Sequence, residues 1–362
     1  MVEQREIGRA AGAAPGPTVI VVAGIHGNEP AGVHGARRFF ARLGSVSRGE
    51  VVALAGNLGG IRAGVRYQAR DLNRVWTPGR LGELRASGPR DAEDREQLEL
   101  AAAIDEARAR ARGPVYMLDI HTTSAAGIPF MLFGDTPRQQ RFVGAFPIPA
   151  ILGLEDQLDG VLSAYWSTRG CITAAVEGGK HDDPATVDSV EAVLWLALAF
   201  TGLIDSGRAE VASAAALLDE RRGGLPLLLE VLSRHAIAAG DGFCMEPGFR
   251  NIDRAGKGRL LARDRGGEIR APRDGLIIMP LYQGLGGDGF FWGREVGRLR
   301  LAVASALRRL GLARLLGLLP GVARTGSRGF VSSARWAGLF RLLGYRRMRE
   351  SGGKLTVERD VS

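Results

Sequence analysis

The segment Val19–Gly32, with the sequence VIVVAGIHGNEPAG, limits the fold of this chain more than any other stretch. Its run of β-branched residues predicts a buried parallel strand, and the glycines that follow predict a turn. The turn carries His26 and Glu29, so an imidazole and a carboxylate lie together at the end of a strand. Zinc accepts both ligand types, at distances of about 2.0 to 2.2 Å. The segment therefore predicts a strand that ends at part of a metal site.

A second apolar strand ends in the same way. Residues 116–124, YMLDIHTTS, place His121 after a short hydrophobic run. A catalytic zinc has three protein ligands and one water, so a third ligand must come from outside the first segment. We expect His26, Glu29 and His121 to bind one zinc per chain. The alternative is an incidental cluster of these residues that holds no metal.

Residues 17–204 alternate between apolar runs and helical patterns. The predicted strands are Thr18–Ala23, Val51–Ala55, Val115–Ile120, Phe130–Phe133, Ala150–Leu152 and Cys171–Val176. The predicted helices are Pro30–Leu43, Asp91–Arg112, Pro137–Phe146 and Pro184–Ile204. This alternation predicts an α/β fold, a mixed central sheet with helices on both faces. In such sheets ligands bind beyond the carboxyl ends of the strands, where His26, His121 and Glu177 all fall.

Composition indicates the class of protein and its expected compartment. The chain has 362 residues, 45% hydrophobic and 24% charged, which is typical of a globular protein long enough for two domains of ~100–200 residues. Its two cysteines are far apart, and its first residues lack the apolar core of a signal peptide, so we expect a reducing cytoplasm. No window reaches the ~18 consecutive apolar residues of a membrane span.

The net charge of +9 is concentrated near the C-terminus. Residues 293–362 contain 14 Arg and one Lys against four acidic residues, a net charge of +11, whereas residues 1–292 carry −2. The basic character therefore says little about the ligand of the main domain. It gives no ground for predicting that the protein binds nucleic acid.

The segment Gly56–Trp76 is the candidate substrate-binding loop. It is not periodic, and it concentrates basic and amide side chains near the expected site: Arg66, Arg70, Asn73 and Arg74. A guanidinium presents paired donors that fit the two oxygens of a carboxylate. A buried cluster of cations is costly, and Asp71 can neutralise one of them. We therefore expect at least one arginine to bind a substrate carboxylate.

Four short motifs follow one another along the chain: GIHGNEPAG at 24–32, RYQARDLNRVW at 66–76, DIHTTS at 119–124 and AVEGG at 175–179. Together they resemble the succinylglutamate desuccinylase and aspartoacylase family, a branch of the zinc carboxypeptidase superfamily. The resemblance covers about residues 17–292, and it implies a zinc carboxypeptidase-like fold. A small-molecule substrate is implied as the binding partner.

The same resemblance implies a role for individual residues. These are His26, Glu29 and His121 as zinc ligands, Glu177 as general acid/base, and Arg66, Asn73 and Arg74 at the carboxylate and carbonyl groups of the substrate. Relatives also place a second arginine shortly before the catalytic glutamate. Arg169 is the nearest residue of this type here, at a different offset.

Each implied role has a chemical reason. Zinc polarises an amide carbonyl and lowers the pKa of its water toward ~7. Glu177 would take the proton of that water and deliver it to the leaving nitrogen, and Arg66 would stabilise the oxyanion. We therefore expect a zinc-dependent amidohydrolase that deacylates an N-acyl amino acid or a similar small carboxylate-bearing linear amide. The alternatives are a metallocarboxypeptidase acting on peptides, and a non-catalytic zinc-binding or membrane-associated protein.

The sequence changes character after the α/β part. We expect a catalytic domain over residues 1–204, a linker over 205–224, and a small β domain over 225–292 with short strands between Gly, Asp and Pro turns. The pattern of these strands resembles the half-barrel of lipoyl and biotinyl domains, without their lysine hairpin. Family members use a comparable domain to narrow the entrance to the site, so Tyr282 is expected to reach the substrate.

Residues 293–362 predict a basic helical appendage, because leucines alternate with arginines. We expect it to pack on the folded body; peripheral contact with an anionic membrane is the alternative. The sequence leaves a homo-oligomer open. Three further histidines, His34, His181 and His235, are expected to have structural roles only.

Overall fold

The apolar run before His26 forms the centre of the main sheet in the structure, a computed structural model. The structure describes residues 4–297, 303–304, 306–307, 310–325, 329–345, 347–351 and 354–358. Its strands are β1 Glu6–Ala11, β2 Ala14–Ala23, β3 Arg48–Ala55, β4 Val115–Thr123, β5 Phe130–Phe133, β6 Ala150–Leu152, β7 Ile172–Lys180, β8 Leu228–Ala236, β9 Cys244–Met245, β10 Asp253–Ala255, β11 Leu260–Asp264, β12 Gly267–Arg270, β13 Gly275–Ile278, β14 Asp288–Glu295, β15 Ala323–Thr325, β16 Gly329–Ser332, β17 Arg347–Ser351 and β18 Lys354–Glu358.

Helices cover both faces of this sheet. They are α1 Pro30–Leu43, α2 Leu58–Ala63, α3 Pro78–Ser87, α4 Ala92–Arg110, α5 Pro137–Val143, α6 Leu162–Ser167, α7 Pro184–Thr201, α8 Ala209–Arg222 and α9 Ala337–Leu342. Alternate residues of β2 enter two different cores, Val19 and Val21 facing α1 and α7, and Ile20 and Val22 facing α4. A parallel strand buried on both faces explains the unbroken apolar run in the sequence.

The main sheet is mixed and has eleven strands, in the order β1-β3-β2-β4-β7-β5-β6-β8-β14-β13-β10. Its centre, β3-β2-β4-β7, is parallel. In that register Ala23 pairs with Ile120, and His121 pairs with Glu177. The carboxyl ends of β2, β4 and β7 therefore meet at one edge. This arrangement confirms the predicted fold class.

Proline marks the start of two predicted helices. α1 begins at Pro30 and α7 at Pro184, where the fixed φ angle of proline suits the first helical turn. By length and composition alone α7 could cross a membrane, since its mean hydropathy is 1.2 over 18 residues. However, 67% of that window is buried inside the fold, as expected for the core helix that the sequence predicts.

The predicted linker is the first correction. Residues 205–224 contain α8, a helix of 14 residues that packs on α7 through Val211, Ala214 and Leu218. The sequence of α8, AEVASAAALLDERR, consists largely of strong helix formers. Its apolar residues recur at helical spacing, which is the signal that the prediction missed.

The predicted β segment is the second correction. Residues 225–292 are rich in strands as expected, but β8, β10, β13 and β14 continue the main sheet. β6 pairs with β8 in parallel, so the sheet passes from one segment to the other without interruption. A separate three-stranded sheet contains β9, β11 and β12. The domain boundaries themselves stay a prediction.

The C-terminal segment is the third correction, because it was expected to be helical. Its described part contains a four-stranded antiparallel sheet, β15-β16-β18-β17, together with short helical turns. Phe330, Phe340, Tyr345 and Val357 form its small core. The sequence KLTVE of β18 alternates between apolar and polar residues, which favours a strand. Part of the helical prediction, including residues 298–302, lies outside the described residues.

We predict that Leu218→Ala lowers the free energy of unfolding by about 2 to 4 kcal/mol, because it leaves a cavity in the core between α7 and α8. Leu218 is completely buried there, while its neighbour Leu217 is only partly buried. Denaturant unfolding of Leu218→Ala and of the matched control Leu217→Ala measures the difference. An unchanged free energy for Leu218→Ala would mean that residues 205–224 form a loose linker after all.

Candidate metal centre and active site

The side chains of His26, Glu29 and His121 converge at the carboxyl edge of the sheet. His26 Nδ1 lies 2.8 Å from Glu29 Oε1, and His121 Nδ1 lies 3.2 Å from Glu29 Oε2. Their candidate ligand atoms all lie within 4.8 Å of one another, and all three residues are buried. Two imidazole nitrogens and a carboxylate oxygen are a donor set that suits zinc and leaves a fourth position open.

A tight turn after β2 brings His26 and Glu29 together. Gly24 has a φ of +72°, a conformation that favours glycine. At Gly27 a Cβ atom would lie 2.0 Å from the carbonyl carbon of Gly60, so α2 can approach the turn only at a glycine. Glu29 then directly precedes α1. Gly24 is therefore favoured by the backbone conformation of the turn, and Gly27 by the close approach of α2.

A carboxylate stands behind each histidine. His26 Nε2 lies 3.1 Å from Asp71 Oδ1, and His121 Nε2 lies 3.1 Å from Asp119 Oδ2. A histidine that donates its Nε2–H to such a carboxylate keeps the lone pair of Nδ1 for a metal. Asn73 Nδ2 is also 3.3 Å from His121 Nε2, but both atoms carry hydrogen when Nδ1 faces a metal, so this contact is not a hydrogen bond in that tautomer. The carboxylate contacts orient both imidazoles toward Glu29.

The charges of the centre shift its pKa values strongly. Burial by itself raises the pKa of Glu29, but the charge of His26 and hydrogen bonds to His121 and His26 hold it well below its usual range. Burial lowers the pKa of His121, whereas Asp119 and Glu29 outweigh burial and raise that pKa well above its usual value. In the absence of a metal, the pocket therefore favours the charged forms of Glu29 and His121.

Glu177 faces this centre from β7. It is 4% exposed, and within the described part of the chain no hydrogen-bond partner reaches its Oε2 atom. Burial raises its pKa to about 8; the charges of Glu29 and Asp119 add to this effect, and those of His121 and Arg66 oppose it. A buried carboxyl group with an unpaired oxygen is a functional-site candidate, since structural carboxylates are normally hydrogen-bonded.

Arg66 reaches the same centre. Its Nη2 atom lies 2.9 Å from Asp71 Oδ2 and 2.9 Å from His26 Nε2, and its Nη1 atom lies 3.6 Å from Glu29 Oε1. His26 Nε2 cannot both donate to Asp71 and accept from Arg66. If Nδ1 of His26 is to offer its lone pair to a metal, the ring hydrogen must be on Nε2. In that tautomer Nε2 donates to Asp71. Asp71 thus neutralises one of the loop arginines, as the sequence predicts.

Asn73 and Arg74 line the pocket beside the metal centre. Asn73 Oδ1 accepts a hydrogen bond of 2.8 Å from the backbone N–H of Leu162. Arg74 Nη2 donates to Asp288 Oδ2 at 2.9 Å, and its Nη1 donates to the carbonyl oxygen of Asn73. Both predicted loop residues are therefore held by the chain close to the candidate ligands.

Two predicted substrate contacts are not brought to the pocket among the described residues, and they are corrections. The guanidinium of Arg169 lies over the ring of Tyr165, 3.5 Å from its centroid. Arg169 precedes β7 and Glu177 lies near the other end of that strand, so about five strand residues, roughly 17 Å, separate them. The hydroxyl of Tyr282 donates to Glu246 O and accepts from Phe249 N, so its side chain turns toward the strands of the C-terminal half.

Two pocket residues were missed. His181 was expected to be structural, but it lines the pocket, with Nδ1 at 2.6 Å from Thr122 Oγ1 and Nε2 at 3.3 Å from Gln283 Oε1. Its position directly after β7, at the same edge as the other histidines, was the available signal. Asp288 gave no signal, because its contact with Arg74 joins residues 214 positions apart.

Comparison with known proteins adds to this geometry. The family model of the succinylglutamate desuccinylase/aspartoacylase catalytic domain matches residues 15–200, just over half of the chain. This chain belongs to that family. The match includes all three candidate metal ligands and Glu177.

Curated relatives of the family match the same part of the chain. The succinylglutamate desuccinylase of Burkholderia pseudomallei (strain 1710b) is 38% identical over 176 residues, which cover 45% of this chain and 49% of that protein. The one from Burkholderia thailandensis is 36% identical over 183 residues, with coverage of 45% and 49%. The chain therefore spans about half the length of the curated relatives it matches.

Solved structures share the fold over a longer range. The succinylglutamate desuccinylase/aspartoacylase from Rhodobacter sphaeroides has a TM-score of 0.58 at 18% identity, covering 78% of this chain and 87% of that chain. The product-bound ectoine utilization protein EutE (DoeB) from Ruegeria pomeroyi has a TM-score of 0.57 at 21% identity, with the same coverage. At these identities the likeness supports the fold alone.

We predict that zinc-loaded protein retains about one zinc per chain after dialysis, and that His121→Ala retains little, because two ligands hold zinc much less firmly than three. Elemental analysis of the dialysed proteins measures this. His34→Ala is the matched control, since His34 is an exposed histidine on α1. Equal zinc in wild type and His121→Ala would remove His121 from the site.

Proposed function

We propose that this protein is a zinc-dependent hydrolase that cleaves the amide bond of an N-acyl amino acid or a similar small carboxylate-bearing amide. The observation that carries the proposal is the convergence of His26, Glu29 and His121 beside the buried Glu177, whose Oε2 atom has no hydrogen-bond partner among the described residues. Family membership supports the same chemistry, since the curated relatives are named succinylglutamate desuccinylases.

Zinc would be held by His26 Nδ1, His121 Nδ1 and a carboxylate oxygen of Glu29. When bound, it supplies Lewis-acid chemistry, polarising the substrate carbonyl and acidifying a water molecule. Asp71 lies within hydrogen-bond distance of His26 Nε2, and Asp119 Oδ2 lies 3.1 Å from His121 Nε2; both carboxylates are proposed to favour the tautomer that this role requires. Zinc binding would require both metal-facing nitrogens to be unprotonated, so a bound metal would displace a proton from His121.

Glu177 is the proposed general base and acid. It accepts a proton from the attacking water at its Oε2 atom and later gives that proton to the leaving nitrogen. Its pKa of about 8 refers to the chain without a metal, and a nearby divalent cation lowers that pKa toward the range of a base that works at neutral pH. Burial keeps competing water away from the carboxyl group.

Arg66 is the proposed oxyanion-stabilising residue. Its side chain is 10% exposed, and Asp71 and Glu29 fix its guanidinium at the metal centre. Burial lowers its pKa, but Asp71 and Glu29 outweigh burial and raise it, so Arg66 stays charged throughout the reaction. A preorganised cation stabilises developing negative charge without reorganising during the reaction.

Asn73 and Arg74 are proposed to bind the carboxylate of the substrate. Arg74 uses Nη1 and Nη2 in its contacts with Asn73 and Asp288, and no contact with the described residues occupies its Nε–H, which can donate to an incoming oxygen. Residues of the segment 279–288 line the pocket from the C-terminal half, and we propose that they favour a small amide over a peptide. A cytoplasmic location and a homo-oligomeric state stay predictions from the sequence.

We predict that Glu177→Gln keeps its zinc and its fold but loses about 10² to 10⁴ in kcat, the usual contribution of a positioned acid/base. Hydrolysis of N-acyl amino acids by zinc-loaded wild type and variant measures the loss. Glu191→Gln is the control, because Glu191 is a buried glutamate of α7 that pairs with Arg38 and Arg42 away from the pocket. Near-normal turnover by Glu177→Gln would exclude the acid/base role.

A further inference from the structure

We infer that the substrate carries a single carboxylate and inserts an uncharged aliphatic group into the pocket beyond Glu177. This inference rests on the proposed function and names its substrate class. It sets the chain apart from the relatives named for succinylglutamate, a compound with three carboxylates. Three features of the pocket support it: the floor formed by the sheet, the side wall, and the pairing of the arginines.

The floor of the pocket changes from polar to apolar across the sheet. In the register of β4, β7 and β5, Asp119 pairs with Ala175, and Ala175 pairs with Leu132. Leu132 in turn pairs with Ile151 of β6. Side chains paired in register project from the same face of a sheet. Of these residues, Asp119, Ala175 and Leu132 line the pocket, so its floor becomes aliphatic on moving away from the metal ligands.

The wall above this floor is apolar too. Leu154, Leu158 and Val161 come from the segment before α6, and Phe291 comes from β14. All four line the pocket, and together with Leu132 and Ala175 they belong to one buried cluster. An aliphatic group gains about 0.8 kcal/mol per buried CH₂ against such a surface.

The charges of the pocket leave little attraction for a second carboxylate. Among the described residues that line the pocket, the guanidinium groups are those of Arg66 and Arg74, and each is already paired with a carboxylate of the chain. Asp288 is shared by Arg74 and by Arg234, whose Nε donates to it at 2.5 Å, so this group keeps one net positive charge, enough for the single carboxylate of the substrate.

A substrate with two carboxylates would therefore bury one of them against aliphatic or acidic groups. Burying an uncompensated charge is far more costly than burying a methyl group, so we expect a discrimination of about 100-fold or more in kcat/KM. In the favoured reaction water adds across the amide C–N bond of N-butyryl-leucine, which yields butyrate and leucine. The proton that Glu177 carries goes to the leaving nitrogen.

The test compares three substrates with the zinc-loaded protein. N-butyryl-leucine has one carboxylate, N-succinyl-leucine adds one to the four-carbon acyl chain, and N-butyryl-glutamate adds one to the amino acid. We expect kcat/KM to be highest for N-butyryl-leucine, by about 100-fold or more over both others. Equal or faster hydrolysis of either dicarboxylate overturns the inference.

A positive charge introduced among the apolar residues of the pocket should increase its preference for a second carboxylate. Leu158→Lys puts a cation beside the apolar floor and should shift the butyryl-to-succinyl ratio toward N-succinyl-leucine by about 10-fold. Leu158→Met has a similar volume and no charge, and it should retain the wild-type preference. A ratio that stays the same in a folded, zinc-binding Leu158→Lys protein counts against the assignment. If Leu158→Lys does not fold, the wild-type comparison still decides.

Binding measurements separate this inference from the proposed function. If no amide is hydrolysed, the proposed function fails, but calorimetry with butyrate and succinate on zinc-loaded wild type still reports on the pocket. Tighter binding of butyrate, by about 10-fold or more, supports the apolar subsite. Tighter binding of succinate overturns it.

Discussion

The parallel pairing of β2, β4 and β7 is the constraint on which the site depends. It brings the ends of three strands to one edge and sets His121 in register with Glu177. Because side chains alternate between the faces of a strand, a shift of one residue in β4 would turn His121 to the opposite face. The hydrophobic cores on both sides of β2 prevent such a shift. Packing far from the pocket therefore fixes the positions of the candidate ligands.

The site concentrates charge that needs compensation. Glu29, Asp119 and Glu177 are buried carboxyl groups around two imidazoles. Without a metal the chain responds by a raised pKa at Glu177 and His121 and a lowered pKa at Glu29. A divalent cation would satisfy the same groups directly, and its binding would add to the stability of the folded chain. The electrostatics and the coordination geometry thus favour the same occupant.

The sequence predicted the strand ends and the loop residues that meet there, because each is encoded locally. A β-branched run that ends at a glycine or a histidine gives both the strand and its terminal side chain. Arg169 was assigned from its offset in the family resemblance, but it lies before the start of β7, whereas Glu177 lies near the other end of that strand. Asp288 and the apolar floor depend on pairing between distant strands. Those pairings are set by packing of the whole sheet.

Two segments outside the site were also predicted wrongly from the sequence. The helix α8 has an ordinary helical pattern and the strand β18 an alternating one, but the sequence analysis predicted a linker and a leucine- and arginine-rich helical segment at these positions. When a segment contributes to a core, tertiary packing can override its local propensity and decide its secondary structure. In α8, the burial of Val211, Ala214 and Leu218 against α7 stabilises the helix.

A crystal structure of the zinc-loaded protein tests the central claim most directly. The account predicts one zinc bonded to Nδ1 of His26, Nδ1 of His121 and an oxygen of Glu29, at about 2.0 to 2.2 Å. Asp71 and Asp119 should keep their contacts with the Nε2 atoms, and Glu177 should face the open position without bonding the metal. Zinc bonded through the Nε2 atoms, or at a different set of residues, would contradict the account.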